Sequence, residues 1–127
     1  MDSRQRKAKH MNQDLEKLIS LHDLDVMIAD LSRKEIRHQE EKLGLEADDA
    51  QELLREMRTQ FTAHLNKRLL AQYDRLASHY GNAVVPAIGG RCSGCLTRLP
   101  TAMCSDPERN NQIRSCPTCG RIIYWAD

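Results

Sequence analysis

The stretch Cys92-Ser93-Gly94-Cys95, followed after twenty residues by Cys116-Pro117-Thr118-Cys119-Gly120, decides the fold of this chain. A Cys-x-x-Cys pair is typical of a tight turn, here called a knuckle, that aims two sulfurs at one ion. Two knuckles at this separation supply the ligand set of a tetrahedral structural zinc site. The sequence therefore predicts one structural Zn²⁺ with four thiolate ligands, Cys92, Cys95, Cys116 and Cys119.

Cysteines at this spacing have other uses. Disulfides need an oxidising compartment, and no secretory signal opens the chain, so a cytoplasmic protein with reduced thiols is predicted. A redox Cys-x-x-Cys needs a βαβ setting, which this pattern lacks. Iron in a rubredoxin-like site stays open as the alternative to zinc, because four sulfurs bind either metal. The fifth cysteine, Cys104, lies outside the knuckles and is interpreted as a small buried hydrophobe.

The metal is also expected to help the chain fold. The part after residue 81 is too short to fold on a hydrophobic core alone, so the bound ion is expected to supply its folding energy. Gly94 and Gly120 are expected to take positive φ in the knuckles, because glycine does so at no steric cost. The 127 residues carry a formal net charge of +1. Four thiolates and one Zn²⁺ leave this close to neutral, so net charge gives no whole-chain argument for nucleic acid.

Two amphipathic stretches precede the cysteines. The first helix is predicted to begin near Asn12, with Asn12 or Asp14 as its capping residue, and to end at Gly44. The second is predicted to begin at Asp48 or Asp49 and to run unbroken to Gly81. Apolar residues recur in both at three- and four-residue spacing, the period of one helix face. They are Leu15, Leu18, Leu21, Leu24, Ile28 and Leu31 in the first stretch, and Leu54, Met57, Phe61, Leu65, Leu69 and Leu76 in the second.

Two helices of similar length joined by a short turn pack antiparallel, so these stretches predict a helical hairpin with a coiled-coil seam. Residues whose numbers add up to about 92 are expected to face each other, which puts Leu31 opposite Phe61. Met27 and Met57 are interpreted as filler for an irregular seam.

The ribbon part follows the second helix. Residues 83–90 contain a proline and two glycines and are predicted to be an extended connector. Short strands are predicted at 113–115 and 121–125, on either side of the second knuckle. The predicted fold class is therefore α+β: an antiparallel helical hairpin, or short coiled coil, followed by a small β zinc ribbon. The predicted domains are a basic flexible N-terminus, the hairpin and the ribbon, at residues 1–11, 12–81 and 82–127.

Two charged clusters are candidate partner surfaces. From Glu40 to Glu56, seven residues are acidic and two are basic, an excess only partly explained by the helix dipole. Two readings stay open: a tip that is only solvated, and a tip that contacts a protein partner through Glu46, Asp48, Asp49 and Glu52. Arginines of the ribbon are candidate nucleic-acid contacts, because arginine binds phosphate and stacks on bases. These are Arg91, Arg98, Arg114 and Arg121.

The C-terminal part of the chain also resembles a known family. The residues that carry the resemblance are Val84-Val85-Pro86, Gly90, Cys92-Ser93-Gly94-Cys95, Leu99-Pro100 and Cys116-Pro117-Thr118-Cys119-Gly120-Arg121-Ile122-Ile123-Tyr124. Here the chain is similar to the bacterial C4-type zinc-ribbon proteins with an N-terminal coiled-coil hairpin, although its hairpin is less than half the usual length. The resemblance implies a non-enzymatic interaction protein. Members of that family are described as nucleic-acid-binding, and some are associated with the sigma-54 factor, flagellar gene expression or type III secretion.

The sequence thus predicts a cytoplasmic, non-enzymatic adaptor or regulator that binds a protein partner in transcription or secretion. A closed four-cysteine site has no open position for a substrate, which disfavours catalysis at the metal. Two alternatives stay open: an RNA polymerase secondary-channel regulator of the DksA type that uses the acidic tip, and a ribbon that binds RNA or DNA. No membrane segment is predicted, and monomer and homodimer are both open.

Overall fold

The computed structural model describes the backbone of residues 11–37 and 44–126, and the side chains of residues 11–33 and 49–126. The helices and strands confirm the predicted α+β class. The helices are α1 (Gln13–Arg37), α2 (Gly44–Ala63), α3 (Lys67–Tyr80) and the one-turn α4 (Thr101–Cys104), and the strands are β1 (Val84–Ile88), β2 (Arg91–Cys92), β3 (Arg114–Ser115) and β4 (Ile122–Trp125).

The chain forms two compact units. The helical unit is Ser20–Leu65, and the ribbon unit comprises the described residues of Met1–Ile19 and Asn66–Asp127. The domain boundaries predicted from the sequence stay predictions.

In the helical unit, α1 and α2 run antiparallel and are joined by polar side chains. Arg58 Nε donates a hydrogen bond to Asp25 Oδ1 at 2.6 Å, and Gln51 Nε2 donates to Ser32 Oγ. The residue numbers of each pair add up to 83, so the two contacts share one antiparallel register. The predicted register, near 92, is therefore wrong.

The register differs because α2 begins earlier than predicted. Gly44 is the first residue of α2 rather than the end of α1, and this shifts the face that α2 presents to α1. Acidic residues in the first turns of α2 favour a helix N-terminus at this point, because negative charge is stabilised there. The predicted helix stop at Gly44 is wrong, and the predicted extension of α1 beyond Arg37 lies outside the described residues.

The apolar stripe predicted for the helical unit is largely turned inward. Leu21 and Leu65 are buried, and Ile28 is half-buried. Met27 and Met57, however, are 53% and 48% exposed. The interpretation of these two methionines as seam filler is therefore wrong, because the observed register leaves their side chains in contact with solvent.

The second arm is divided into two helices. Asn66 follows α2 and caps α3, since its Oδ1 accepts hydrogen bonds from the N–H groups of Arg68 at 2.9 Å and Leu69 at 3.3 Å. A side chain that satisfies backbone donors in this way favours a new helix start over continuation. The prediction of an unbroken helix is wrong at this point. Its predicted end is confirmed, because Gly81 has φ 84° and donates its N–H to Ala77 O.

The ribbon unit contains a four-stranded mixed sheet of order β2-β1-β4-β3. β1 pairs parallel with β4 and antiparallel with β2, and β3 pairs antiparallel with β4. The strands predicted on either side of the second knuckle are confirmed as β3 and β4. Residues 83–90 were wrongly predicted to be a connector, because β1 is a central strand. Pro86 has no N–H to donate, but its carbonyl accepts a hydrogen bond from Ser93 N–H at 3.2 Å.

Asparagine side chains secure both the sheet and the start of α1. Asn110 pairs with the backbone of Trp125: its Nδ2 donates to Trp125 O at 2.6 Å, and its Oδ1 accepts from Trp125 N at 2.8 Å. The Asn110 carbonyl accepts from Asn12 N–H at 2.8 Å. Asn12 Oδ1 in turn accepts from the N–H groups of Asp14 and Leu15, which confirms the predicted cap.

Candidate metal centre

The sulfurs of Cys92, Cys95, Cys116 and Cys119 all lie within 4.8 Å of one another. The Cys92 and Cys119 sulfurs are 3.8 Å apart, and those of Cys95 and Cys116 are 3.7 Å apart. A tetrahedral ion with metal–sulfur bonds of about 2.3 Å requires sulfur–sulfur separations of about 3.8 Å. The donor set therefore fits one tetrahedrally coordinated ion, as the spacing predicted. Four sulfurs do not distinguish zinc from iron.

The two knuckles come from different parts of the sheet. Cys92 ends β2, and its carbonyl accepts a hydrogen bond from Leu96 N–H at 2.7 Å. Cys116 directly follows β3, and its carbonyl accepts from Gly120 N–H at 2.8 Å. Antiparallel and parallel pairing through β1 and β4 brings these two turns together, although twenty residues separate them.

The glycines serve the knuckles in different ways. Gly120 takes φ 83°, as expected, whereas in the first knuckle the positive φ belongs to Leu96, at 65°. The expectation for Gly94 is wrong, because its φ is not positive. A Cβ at Gly94 would lie 2.7 Å from Cδ of Arg121. Gly94 is therefore needed for the close approach of that side chain.

The two thiols of the first knuckle differ in pKa because their surroundings differ. Burial raises the pKa of Cys92 to about 12, partly offset by hydrogen bonds from backbone N–H groups of the same turn. Hydrogen bonds from the side chain and backbone of Thr97 lower the pKa of Cys95 to about 6.

None of the five cysteines forms a disulfide. Cys104 is half-buried and packs against the core cluster of the ribbon unit, in agreement with its interpretation as a small hydrophobe. Among the residues that the structure describes, the four cysteines are the group of His, Cys, Asp or Glu side chains placed to hold a metal.

The structure gives the four candidate arginines different surroundings. Arg91 and Arg98 are exposed and lie opposite each other across an antiparallel bridge. Arg114 forms an ion pair with Asp106, and Arg121 is buried. A nucleic-acid surface on this ribbon would therefore use the first two, and nucleic-acid binding itself stays a prediction.

The predicted acidic tip is described only in part. Asp49 and Glu52 are exposed on α2. The side chains of Glu46 and Asp48 lie outside the described residues, so the proposed grouping of these four acids stays a prediction.

Sequence reasoning missed residues that support the metal centre from a distance. Thr97 hydrogen-bonds Cys95, and Tyr80 Oη donates to Cys119 O at 2.7 Å. Thr97 follows the first knuckle by two residues, so a search for hydroxyl groups next to the ligands would have found it. Nothing in the local sequence of Tyr80 connects it with a residue 39 positions away.

Within the described residues, no helix is both long and apolar enough to span a membrane.

Two solved structures resemble this one. The structure of CT398 from Chlamydia trachomatis has a TM-score of 0.60 and 25% sequence identity, over 71% of this chain and 39% of that chain. The structure of the HP0958 protein from Helicobacter pylori has a TM-score of 0.59 and 16% identity, over 90% of this chain and 74% of that chain. This chain thus covers well under half of the CT398 chain. No family model and no curated protein matches the sequence. The comparisons therefore show a shared fold, and membership of the C4-type zinc-ribbon family stays a prediction.

Proposed function

We propose that this chain is a non-enzymatic binding protein whose zinc-stabilised ribbon presents a small basic and apolar face to an acidic segment of a partner protein. The observation that carries the proposal is the ribbon face, defined here as Ile88, Arg91, Leu96 and Arg98. Ile88 and Leu96 are 63% and 68% exposed, more than any other large hydrophobic residue of the described chain.

The strand register places the ribbon face on one side of the sheet. Ile88 pairs with Arg91, and Arg91 pairs with Arg98, both in antiparallel fashion. Residues directly opposite in an antiparallel pair project to the same side, so these three form a row across the sheet. Arg91 Nη1 donates to Leu96 O at 3.2 Å, which brings the fourth residue beside the row. Cys92 is buried in the core on the other side of the sheet.

The charge of the ribbon face favours an acidic occupant. No described ion pair involves Arg91 or Arg98, and residues 82–105 contain no aspartate or glutamate. Two arginines beside two exposed aliphatic side chains match a segment that combines carboxylates with a large apolar residue. Nucleic acid fits less well, because phosphates would leave Ile88 and Leu96 uncovered and the ribbon's tryptophan, Trp125, is buried.

We propose no catalytic activity at the metal, because four cysteine ligands fill a tetrahedral shell and leave no coordination position for a substrate. We propose zinc as the bound ion, because four thiolates are the ligand set of a structural zinc site. A reducing compartment, the cytoplasm, is proposed because the thiols must stay unoxidised to bind metal. Placement of the partner in transcription or secretion rests on the family resemblance alone.

The test is a selection of random linear peptides on the zinc-loaded full chain, followed by affinity measurement of the enriched peptides by fluorescence anisotropy. We expect the enriched peptides to combine acidic residues with a large apolar residue. The double variant Arg91→Gln/Arg98→Gln should weaken their binding at least tenfold. Arg75→Gln, which changes an exposed arginine on α3, is the matched control and should bind as the unchanged chain does.

Two results would contradict the assignment. Enriched peptides without acidic residues, or peptides that bind the double variant equally well, would place the binding surface elsewhere on the chain. Tight binding of single-stranded RNA that falls steeply with salt and is lost in the double variant would assign the ribbon face to nucleic acid instead.

A further inference from the structure

Arg121 contacts both knuckles of the metal centre. Its backbone carbonyl accepts a hydrogen bond from Cys116 N–H at 2.8 Å, in the second knuckle. Its side chain covers the first knuckle, because a Cβ placed on Gly94 would lie 2.7 Å from Arg121 Cδ and 2.8 Å from Nη1. One residue therefore spans the two turns that carry the four sulfurs.

The side chain of Arg121 is held in one position by the end of α3. Its Nε–H donates to Asn82 Oδ1 at 2.9 Å, and its guanidinium carbon lies 3.9 Å from the centre of the Tyr80 ring. Tyr80 in turn donates its hydroxyl hydrogen to the Cys119 carbonyl at 2.7 Å. The residue is only 9% exposed, so the planar guanidinium is stacked and largely removed from solvent.

The buried charge of Arg121 lacks a carboxylate partner among the described residues, since none of the ion pairs found there involves it. A cation removed from water is costly unless a negative group compensates it. Four thiolates around a divalent ion carry a net negative charge, and the first knuckle lies directly under the guanidinium. The ligand set is thus a negative group on the knuckle that the guanidinium contacts.

We propose that Arg121 is a positioning residue of the metal centre, and that its stacked guanidinium offsets the charge of the four thiolates, holds the two knuckles together and slows loss of the ion. This assigns Arg121 a role inside the ribbon rather than on a nucleic-acid surface. Its place in the structure also explains why residue 94 is glycine.

The experiment measures transfer of zinc from the loaded full chain to a colorimetric chelator, together with the thiolate-to-metal absorption of the Co²⁺-substituted protein. Arg121→Met keeps the length of the side chain and removes the charge. We expect it to release zinc at least tenfold faster and to shift the Co²⁺ absorption bands. Arg121→Lys restores the charge without the planar stack and should recover a large part of the retention. Arg75→Met removes an exposed charge from α3 in the same unit and should leave both measurements unchanged.

A second pair of variants tests the contact itself. Gly94→Ala should speed zinc release in the unchanged chain, because the new methyl group displaces the Arg121 side chain, but should add little in the Arg121→Ala background. Gly94→Ala alone retains Arg121, so its zinc release tests the contact even if the variants of Arg121 fail to fold. Zinc release from Arg121→Met at the original rate would overturn the proposal. So would equal acceleration by Met and Lys, additive effects of Gly94→Ala and Arg121→Ala, or a chain that binds neither Zn²⁺ nor Co²⁺.

Discussion

Removal of the metal is expected to unfold the sheet of the ribbon unit. Two of its four strands, β2 and β3, contain only two residues each. The buried core cluster has seven members, and two of them, Cys92 and Cys116, are candidate metal ligands. The remaining ligands, Cys95 and Cys119, pack against the same cluster. Loss of the ion therefore leaves four unlinked thiols in the core and removes the crosslink between the two knuckles.

The magnitude follows from a comparison of two free energies. Structural zinc sites contribute about 10–16 kcal/mol at neutral pH. The whole stability of a domain is about 5–15 kcal/mol. Because the contribution of the ion is as large as the whole stability of a typical domain, a metal-free ribbon should have little or no residual stability, while α1 and α2 keep the contacts that they make in the helical unit.

The assay uses Trp125, which is the single tryptophan of the chain and only 5% exposed in the core cluster. Chelation should shift its fluorescence towards that of tryptophan in water. The helical circular dichroism signal should fall much less, and added Zn²⁺ should reverse both changes. Cys116→Ser should reproduce the effect of the chelator. Cys104→Ser is the matched control and should retain both metal and fluorescence.

Unchanged Trp125 emission in a protein from which a chelator has removed all metal would refute this reasoning. It would mean that the sheet is stabilised by its hydrogen bonds and apolar contacts alone.

Three smaller predictions concern contacts away from the ligands. Asn110→Ala removes two hydrogen bonds to the Trp125 backbone and should lower the free energy of unfolding by about 1–3 kcal/mol in urea denaturation of the zinc-loaded chain. Asn66→Ala removes the cap of α3 and should cost about 1 kcal/mol in the same assay. Asp25 and Arg58 are about 30% exposed in their side chains, so their coupling in a double-mutant cycle should be only about 0.5–1 kcal/mol and should weaken in high salt.

Each of these predictions has an internal control. Asn111→Ala changes the exposed neighbour of Asn110 and should leave stability within about 0.5 kcal/mol. His64→Ala changes an exposed side chain two residues before the α3 cap and should be equally mild. The ion-pair prediction fails if the charge-reversed pair Asp25→Arg/Arg58→Asp is as unstable as the worse single variant. In that case the register is not set by this contact.

The prediction that these four cysteines come together is confirmed, because the spacing within each pair is local chemistry. Two sulfurs separated by two residues reach one ion through a turn that nearby backbone groups close. The helix end at Gly81 was predictable for the same reason, since a positive φ at a single position favours glycine. Asn66 is an equally local indication of a helix start. The break was not predicted, because the apolar stripe continues past this residue.

The register of the helices could not be predicted in this way. It depends on where α2 begins, and a shift of a few residues changes every facing pair. Gly44 is compatible with either end of a helix, so the residue alone does not decide between them. The strand β1 was missed for a related reason. A proline and two glycines count against regular structure locally, whereas the partner that makes β1 a strand is β4, nearly forty residues later.

Arg121 shows that contacts between distant parts of the chain also affect predictions about function. It directly follows the second knuckle, so in the sequence it adds to an apparent basic cluster on the ribbon. Its actual environment is set by Tyr80 and Asn82 at the end of α3, which receive the side chain and remove it from solvent. Counting charges near the cysteines therefore overestimates the surface available to a nucleic acid, because Arg121 is buried. On this ribbon the exposed basic residues that remain beside apolar side chains are Arg91 and Arg98, and these are the ones that a partner can reach.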